Sequence, residues 1–138
     1  MSNAELPTYE VVFDGGSFGN PGKGYGSFRL MTPEGHTVIR RLQFGPWVTN
    51  NEAEYRSLIK ALEELLRLLR GRGVAPRSVS VIVRGDSQLV IYQLQGRWQV
   101  RKPELMVLFA RVVELLKQFG SFSLAWHERA KTVEILGH

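Results

Sequence analysis

The 138-residue sequence contains no cysteine, which excludes disulfide bonds, thiolate zinc sites and cysteine nucleophiles. It also lacks a run of about 18 apolar residues of the kind that crosses a membrane. Its first seven residues have no basic segment followed by an apolar one, as a secretory signal would. We therefore expect no membrane association and no disulfide-stabilised secreted protein, and we predict a cytoplasmic location.

The charge balance is modestly basic. Lys and Arg number 18 against 13 Asp and Glu, a net charge of +5. Such a surplus suits a polyanionic partner such as a nucleic acid, and it suits equally a surface that only keeps the protein soluble. The length and the 43% hydrophobic content fit one globular domain. We predict an N-terminal tail over residues 1–7, a single domain over 8–138, and a monomer.

Hydrophobic periodicity divides the domain into nine elements. Strand-like segments joined by short connections predict an antiparallel meander, over residues 9–14, 24–31 and 36–44. A glycine-rich loop over 15–22 separates the first two. Helices and strands then alternate, with helices over 50–70, 87–94, 103–119 and 128–136 and strands over 78–84 and 122–126. This order predicts an α/β fold with a five-stranded mixed sheet, three antiparallel strands followed by βα units, and helices on both faces.

Two aspartates close predicted strands. Asp14 comes after Val11-Val12-Phe13, and Asp86 closes the strand that contains Val81-Ile82-Val83. If these strands are parallel neighbours, both carboxylates emerge at the carboxyl edge of the sheet, the usual place for a site in α/β proteins. The alternative for each is an ordinary loop or helix-capping aspartate.

A glutamate on the long helix lies within its apolar stripe. At about 100° per residue, Leu58 and Leu65 fall within about 40° of Glu54, whereas Glu52 falls about 160° away. Glu52 already has a simpler role, because Thr49-x-x-Glu52 reads as a capping box. A carboxylate facing the core is costly unless it is paired or bound to a metal. Glu54 is therefore the functional candidate of this helix.

Three converging carboxylates would form an all-oxygen site for a hard cation such as Mg²⁺. Mg²⁺ often binds through a few carboxylates together with substrate phosphates. In a basic protein, such a site points to phosphodiester chemistry, in which two metal ions stabilise the attacking and leaving oxygens.

Three ordered motifs resemble those of the type 1 ribonuclease H family. They are Asp14-Gly-Gly-Ser-x-Gly-Asn-Pro-Gly, Thr49-Asn50-Asn51-x-Ala53-Glu54-Tyr55 and Gly85-Asp86-Ser87-Gln88-Leu89-Val90. The segment from Gln93 to Pro103 resembles the compact branch, which lacks a basic protrusion between helices. The resemblance implies a ribonuclease H-like fold and an endoribonuclease that cuts the RNA strand of RNA–DNA hybrids, leaving 3′-hydroxyl and 5′-phosphate ends.

The resemblance also implies the metal site. Two Mg²⁺ ions are expected, with Mn²⁺ as a possible substitute, on four catalytic carboxylates: Asp14, Glu54, Asp86 and Glu134. Glu134 stands where the family has an aspartate, in a last helix where Ala130 and His127 replace the usual Asn and Arg. Because Mg²⁺ demands near-ideal geometry, the longer side chain could shift the second metal. The alternative for Glu134 is a solvent-facing glutamate.

Further residues are expected to contact the hybrid. Asn and Gln side chains both donate and accept hydrogen bonds, as reading a 2′-hydroxyl requires, and glycines let the backbone approach a bulky ligand. Arg97 and Arg101 could neutralise phosphates, and Trp98 could pack on a deoxyribose or cap the core. The predicted nucleic-acid-binding set is Gly15, Gly16, Ser17, Asn20, Asn50, Asn51, Gln88, Arg97, Trp98 and Arg101. Asn50 and Asn51 also have a simpler reading as helix-start residues.

The resemblance also makes His127 a candidate proton shuttle, because some family members use a loop histidine near the last helix in this way, and an unperturbed histidine pKa of about 6.5 suits the role. The alternative is a surface or packing histidine. The altered last helix leaves two rival functions open. One is a catalytically weak or inactive module that binds RNA–DNA hybrids. The other is a nuclease of the same fold with another substrate.

Overall fold

The computed structural model describes residues 6–137. Most of the predicted tail, residues 1–5, lies outside the described residues, whereas the Pro7 carbonyl accepts a hydrogen bond from the Ser80 amide at 2.9 Å. The strands are β1 (Thr8–Gly19), β2 (Gly22–Met31), β3 (Thr37–Val48), β4 (Ser80–Gly85) and β5 (Ser121–Trp126). The helices are α1 (Asn50–Gly71), α2 (Gln88–Leu94), α3 (Pro103–Leu116) and α4 (Arg129–Leu136), with a short 3₁₀ turn at Pro76–Ser78.

The strands form one mixed sheet in the order β3-β2-β1-β4-β5. β1 pairs antiparallel with β2, and β2 with β3. β4 lies parallel to both β1 and β5. The predicted fold class is confirmed. β1 and β4 are also parallel neighbours, which was the condition for placing both aspartates at the same edge of the sheet. Phe13 pairs with Gly85, so Asp14 and Asp86, each one residue further along, lie at the same edge of the sheet.

Helices cover both faces of the sheet. Alternate residues of β1, namely Tyr9, Val11 and Phe13, join the main core, which α1 supplies with its leucine stripe of Leu58, Leu62, Leu65 and Leu69. α3 packs against α1, and α4 contacts β1 and β2. Glu10, which alternates with the core residues of β1, lines a cleft together with residues of α4. α4 therefore lies on the face opposite α1.

The glycine-rich segment is mostly strand, which corrects the predicted loop over 15–22. β1 runs to Gly19 and β2 begins at Gly22, so that only residues 20 and 21 form the turn. Close packing against α1 explains why glycine is needed within these strands. A Cβ on Gly15 would lie 2.5 Å from the Ala53 carbonyl, and one on Gly26 would lie 1.9 Å from Ser57 Oγ.

Outside the glycine-rich segment, two element ends differ from the prediction by three or more residues. β3 continues past residue 44 to Val48, because the longer β2 offers it a partner at Gly22. An irregularity interrupts this pairing near Gly24, and beside it Trp47 adopts a φ of 62°. α3 ends at Leu116 rather than 119, since the amides of Gln118 and Phe119 turn back to carbonyls three residues earlier. Within residues 6–137, no helix is both long and apolar enough to span a bilayer.

Candidate active site at the carboxyl edge of the sheet

Three carboxylates from separate elements meet at the edge where β1 and β4 lie side by side. Asp14 lies within β1, Glu54 in the second turn of α1, and Asp86 directly after β4. One oxygen from each lies within 4.8 Å of the others. Asp14 and Asp86 are the only aspartates in the sequence. The structure thus brings together the three residues singled out by strand ends and by the helical stripe.

The capping box fixes where α1 begins and so where Glu54 lies. Thr49 Oγ1 accepts from the Glu52 amide at 3.1 Å, and Glu52 Oε1 accepts from the Thr49 amide at 3.1 Å. The predicted role of Glu52 is therefore confirmed. Two residues further on, Glu54 faces the sheet and is only 8% exposed.

The surroundings of Glu54 disfavour its charge. Burial, followed by repulsion from Asp14 and Asp86, raises the pKa of Glu54 well above its ordinary value. A hydrogen bond from the Gly15 backbone and the charge of Arg129 act in the opposite direction. Its Oε2 is buried without a hydrogen-bond partner among the described residues. Buried carboxylate oxygens normally have partners, and a cation held by this cluster would be a suitable partner for this oxygen.

Arg129 is the site residue that sequence reasoning missed. Its Nη1 lies 2.8 Å from Asp14 Oδ1 and 2.9 Å from Asp86 Oδ2. These contacts raise the pKa of Arg129 above its ordinary value. Arg129 begins α4, where the positive end of the helix dipole disfavours a cation. This mismatch was the signal for Arg129 in the sequence, because a nearby anion would offset the unfavourable position of a cation at a helix start.

Glu134 lies outside this cluster. Its side chain is 71% exposed and approaches Lys131 Nζ at 3.8 Å. Helical geometry supplies the reason, since residues five apart on a helix point about 140° away from each other. Arg129 shares the inward face of α4 with the buried Thr132 and Leu136. Glu134 consequently faces the solvent, and its catalytic role stays a prediction.

His127 is held by the fold. Its ring Nε2 lies 2.8 Å from the hydroxyl of Thr132, and its amide donates to the Gly85 carbonyl at 3.0 Å. Burial is the main cause that lowers the pKa of His127, while the charge of Asp86 opposes the shift. These contacts accord with a packing role, and the shuttle role remains untested.

An amide cluster links the β1–β2 turn to the start of α1. Asn50 Oδ1 accepts from the Ser17 amide at 2.9 Å and from Ser17 Oγ at 3.2 Å. Asn20 Oδ1 accepts from the Asn50 amide at 2.9 Å. Both side-chain oxygens are thus occupied, and neither side-chain NH₂ group has a hydrogen-bond partner within the described part of the chain. The cluster presents hydrogen-bond donors to the solvent.

The other predicted contact residues lie beside this cluster, at the start of α2 or beyond α2. Asn51 lines a cavity of about 150 Å³ with Asn20 and Thr49, and Gln88 is exposed at the first position of α2. Gly16 gives room to Tyr25, whose hydroxyl would lie 2.6 Å from an added Cβ.

The basic and aromatic residues after α2 are partly engaged with one another. The guanidinium of Arg97 lies 3.9 Å from the Tyr92 ring centroid. Trp98 meets the same ring edge-on at 5.1 Å between centroids and remains 45% exposed. Arg101 is exposed. Trp98 therefore packs on Tyr92 and still offers an open face.

The opposite face of the sheet carries a charged network that the sequence did not reveal. Glu10 pairs with Arg29 and, at 3.1 Å, with Arg84. These three side chains line a cleft of about 750 Å³ that also includes Glu134. Their alternation with core residues along β1, β2 and β4 explains how charged groups can lie in the sheet without entering the core.

Comparison with known proteins supports the geometric reading. Residues 13–133 match the family model described as "Reverse transcriptase-like". The chain is 36% identical over 120 residues to the Ribonuclease HI of Halobacterium salinarum, covering 87% of this chain and 56% of that protein. It is 36% identical over 122 residues to the Bifunctional protein Rv2228c of Mycobacterium tuberculosis, covering 88% of this chain and 31% of that protein. The chain thus spans 31% of the length of one of these relatives and 56% of the other.

Solved structures agree with the sequence relatives. The crystal structure of RNase H1 from Halobacterium salinarum has a TM-score of 0.78 at 35% identity, covering 94% of this chain and 93% of that one. The structure titled LC11-RNase H1 in complex with an RNA/DNA hybrid has a TM-score of 0.81 at 30% identity, covering 91% and 89%. The chain therefore belongs to the type 1 ribonuclease H family.

Proposed function

We propose that this chain is a metal-dependent endoribonuclease that hydrolyses the RNA strand of RNA–DNA hybrids and leaves 3′-hydroxyl and 5′-phosphate ends. One observation carries the proposal. In a chain of this family, Asp14, Glu54 and Asp86 bring oxygens within 4.8 Å of one another, and a buried Glu54 oxygen has no hydrogen-bond partner among residues 6–137.

The donor set fits a hard divalent cation. All three candidate ligands offer carboxylate oxygen, the donor type that Mg²⁺ and Mn²⁺ prefer. We propose two Mg²⁺ ions per site, with Mn²⁺ as a substitute, held by Asp14, Glu54 and Asp86. Bound divalent ions would supply an activated water and would stabilise negative charge on phosphate oxygens.

The protein's own part is to fix the ligands and orient the substrate. Asp14 is held within the paired strand β1, Asp86 directly follows the paired strand β4, and Glu54 lies near the capped start of α1, so the three carboxylates need little reorganisation. Glu134 would support the second ion, which requires its side chain to leave Lys131 and turn inward. His127 would assist release of metal or product only after parting from Thr132.

Recognition of the hybrid would use the amide cluster and the surface beyond α2. The free NH₂ groups of Asn20 and Asn50 can donate to phosphate or 2′-hydroxyl oxygens. Asn51, Gln88 and the backbone of Gly15 and Gly16 would extend this contact. Arg97, Trp98 and Arg101 would hold the DNA strand. A structural relative, LC11-RNase H1, is known in complex with an RNA/DNA hybrid, and this supports the hybrid as the substrate proposed here.

We also propose that residues 8–138 form one domain that acts as a cytoplasmic monomer. Size-exclusion chromatography with light scattering should give a mass near 15.7 kDa. A concentration-independent dimer mass would contradict the monomer.

A weak or inactive hybrid-binding module is the second candidate. Arg129 lies between Asp14 and Asp86, and the exposed Glu134 is outside the cluster. Both observations favour impaired metal binding. A nuclease of the same fold acting on another duplex is the third possibility.

The deciding experiment incubates end-labelled RNA–DNA hybrid, duplex RNA and duplex DNA with the protein in Mg²⁺ or Mn²⁺. We expect cleavage of the hybrid alone, with 5′-phosphate products that phosphatase treatment alters. Asp14→Asn should abolish cleavage, whereas the control Glu114→Gln, on the exposed side of α3, should not affect it. Equal cleavage by Asp14→Asn would contradict the assignment. Tight hybrid binding without cleavage in either metal would favour the binding module.

A further inference from the structure

A single arginine nitrogen bridges the two aspartates of the site. Arg129 Nη1 contacts Asp14 Oδ1 and Asp86 Oδ2 at 2.8 and 2.9 Å. The aspartate side chains are only 4% and 10% exposed, whereas that of Arg129 is 56% exposed. Nearly buried carboxylates that face one another are costly unless a cation accompanies them. In this structure, Arg129 provides that cation.

We propose that Arg129 is the resident counter-cation of the carboxylate cluster, and that a divalent ion binds only by displacing it from both Asp14 and Asp86. The inference rests on the proposed function in one respect, which is that divalent ions bind at this cluster. Arg129 acts here by compensating the charge of the two aspartates before the ion arrives.

Displacement is expected because the guanidinium and an ion would compete for the same two carboxylates. Arg129 Nη1 contacts one oxygen of each aspartate, and an ion between the aspartates would lie beside that positive charge. Repulsion at such short range opposes retention of both contacts when an ion binds. The ion and the bridging guanidinium are therefore competitors for this position.

The position of Arg129 allows it to leave. It lies in the first turn of α4, an eight-residue helix whose N-cap residue, Glu128, makes no side-chain capping bond. More than half of the Arg129 side chain is exposed, so the guanidinium can swing into solvent without opening the core. The aspartates, in contrast, are fixed by strands at the centre of the sheet.

The thermodynamic consequence is a weakened metal affinity. A contact present only in the metal-free state stabilises that state, so the ion must overcome it to bind. Removing Arg129 should then strengthen ion binding and destabilise the metal-free protein together. A merely structural arginine would change stability and leave the ion affinity unaltered.

The test measures Mn²⁺ affinity by electron paramagnetic resonance of the free ion, and thermal unfolding with and without Mn²⁺. It compares wild type with Arg129→Ala, Arg129→Gln and Arg129→Lys. Arg111→Ala is the matched control, because Arg111 also contacts two carboxylates, those of Glu63 and Glu114, on the distant surface of α1 and α3. Arg129→Gln keeps much of the side-chain length, so it tests the charge if the alanine variant folds poorly.

We expect Arg129→Ala and Arg129→Gln to bind Mn²⁺ at least about tenfold more tightly than wild type, because a close unit charge is removed. Arg129→Lys should fall between, and Arg111→Ala should match wild type. Without metal, both charge-removing variants should unfold at lower temperature, and Mn²⁺ should raise their unfolding temperature more than it raises that of wild type. Unchanged or weaker affinity in both variants would overturn the inference while leaving the metal site intact. An absence of Mn²⁺ binding in every variant would overturn the proposed metal site as well.

Discussion

The core-anchored carboxylates and the last helix form two contrasting halves of the site. Asp14, Glu54 and Asp86 belong to β1, α1 and the end of β4, which pack into the main core. α4 is an eight-residue helix that presents Arg129 to the cluster and Glu134 to solvent. The contrast teaches that the fold itself fixes the three carboxylates, whereas the position of the fourth candidate depends on how one short helix is rotated.

The largest expected effect separates the two halves directly. Asp86→Asn should lower hybrid cleavage by at least about 100-fold, since losing a metal ligand costs several kcal/mol of transition-state stabilisation and each 1.36 kcal/mol is about tenfold. Glu134→Gln should lower it by less than about tenfold, because the exposed side chain lies outside the cluster and must turn inward before it can support the second ion. Steady-state cleavage of labelled hybrid measures both. Equal losses in the two variants would show that Glu134 contributes to catalysis as strongly as Asp86.

The next effect tests how closely β1 packs against α1 beside the three carboxylates. A Cβ on Gly15 would lie 2.5 Å from the Ala53 carbonyl carbon and oxygen and 2.7 Å from the Glu54 amide. Gly15→Ala should therefore destabilise the protein by about 1–3 kcal/mol, the usual cost of overpacking. Urea denaturation measures the free energy of unfolding.

Gly71→Ala is the matched control for Gly15→Ala. An added Cβ at Gly71 meets nothing within 4 Å, and the residue ends α1. We expect a change within about 0.5 kcal/mol, as for most surface substitutions. A Gly15→Ala protein as stable as the control would contradict the close strand–helix packing that positions Glu54.

The smallest effect is a gain in stability. In the metal-free protein, burial and the two aspartates raise the pKa of Glu54 above its ordinary value of 4.5. The folded protein therefore holds this proton more tightly than the unfolded chain does. This tighter proton binding contributes to the free energy of unfolding. Its contribution is fully present below about pH 4.5 and is lost as pH rises through the folded-state pKa of Glu54.

Glu54→Gln replaces the ionisable carboxyl with a neutral amide and so removes this loss of stability at higher pH. Near pH 4, the variant and the wild type should unfold at similar temperatures. As pH rises, the metal-free variant should become more stable than wild type by a few degrees, since about 1 kcal/mol shifts the unfolding temperature by roughly 4 °C at this size. Calorimetry from pH 4 to 8 measures the difference. The control is Glu64→Gln, on the same helix as Glu54, which loses an ion pair with Arg40 of β3 and should show no such gain. A pH-independent difference between Glu54→Gln and wild type would contradict this explanation.

Most of the fold and the core half of the site could be predicted because their signals are local. Asp14 and Asp86 follow β-branched segments that must be buried strands, and Glu54 shares an angular stripe with Leu58 and Leu65. The antiparallel meander followed by βα units then leaves few arrangements of the sheet. These features need only periodicity and strand order.

The rest depends on tertiary contacts. The glycines suggested a loop, yet close packing of β1 and β2 on α1 is what requires them. The place of Arg129 at a helix start indicates a nearby anion but not which one, because the direction of its side chain depends on the rotation of α4, which is set by the burial of Thr132 and Leu136. The same rotation leaves Glu134 exposed, although its place in the sequence matches the motif of the family.

The most direct test of the central claim is a crystal structure of the protein with Mn²⁺, with the anomalous signal used to locate the ion. The account predicts an anomalous peak in contact with oxygens of Asp14, Glu54 and Asp86, with Arg129 withdrawn from both aspartates. An ordered cluster without a peak at saturating Mn²⁺, with Arg129 Nη1 still between Asp14 and Asp86, would contradict it.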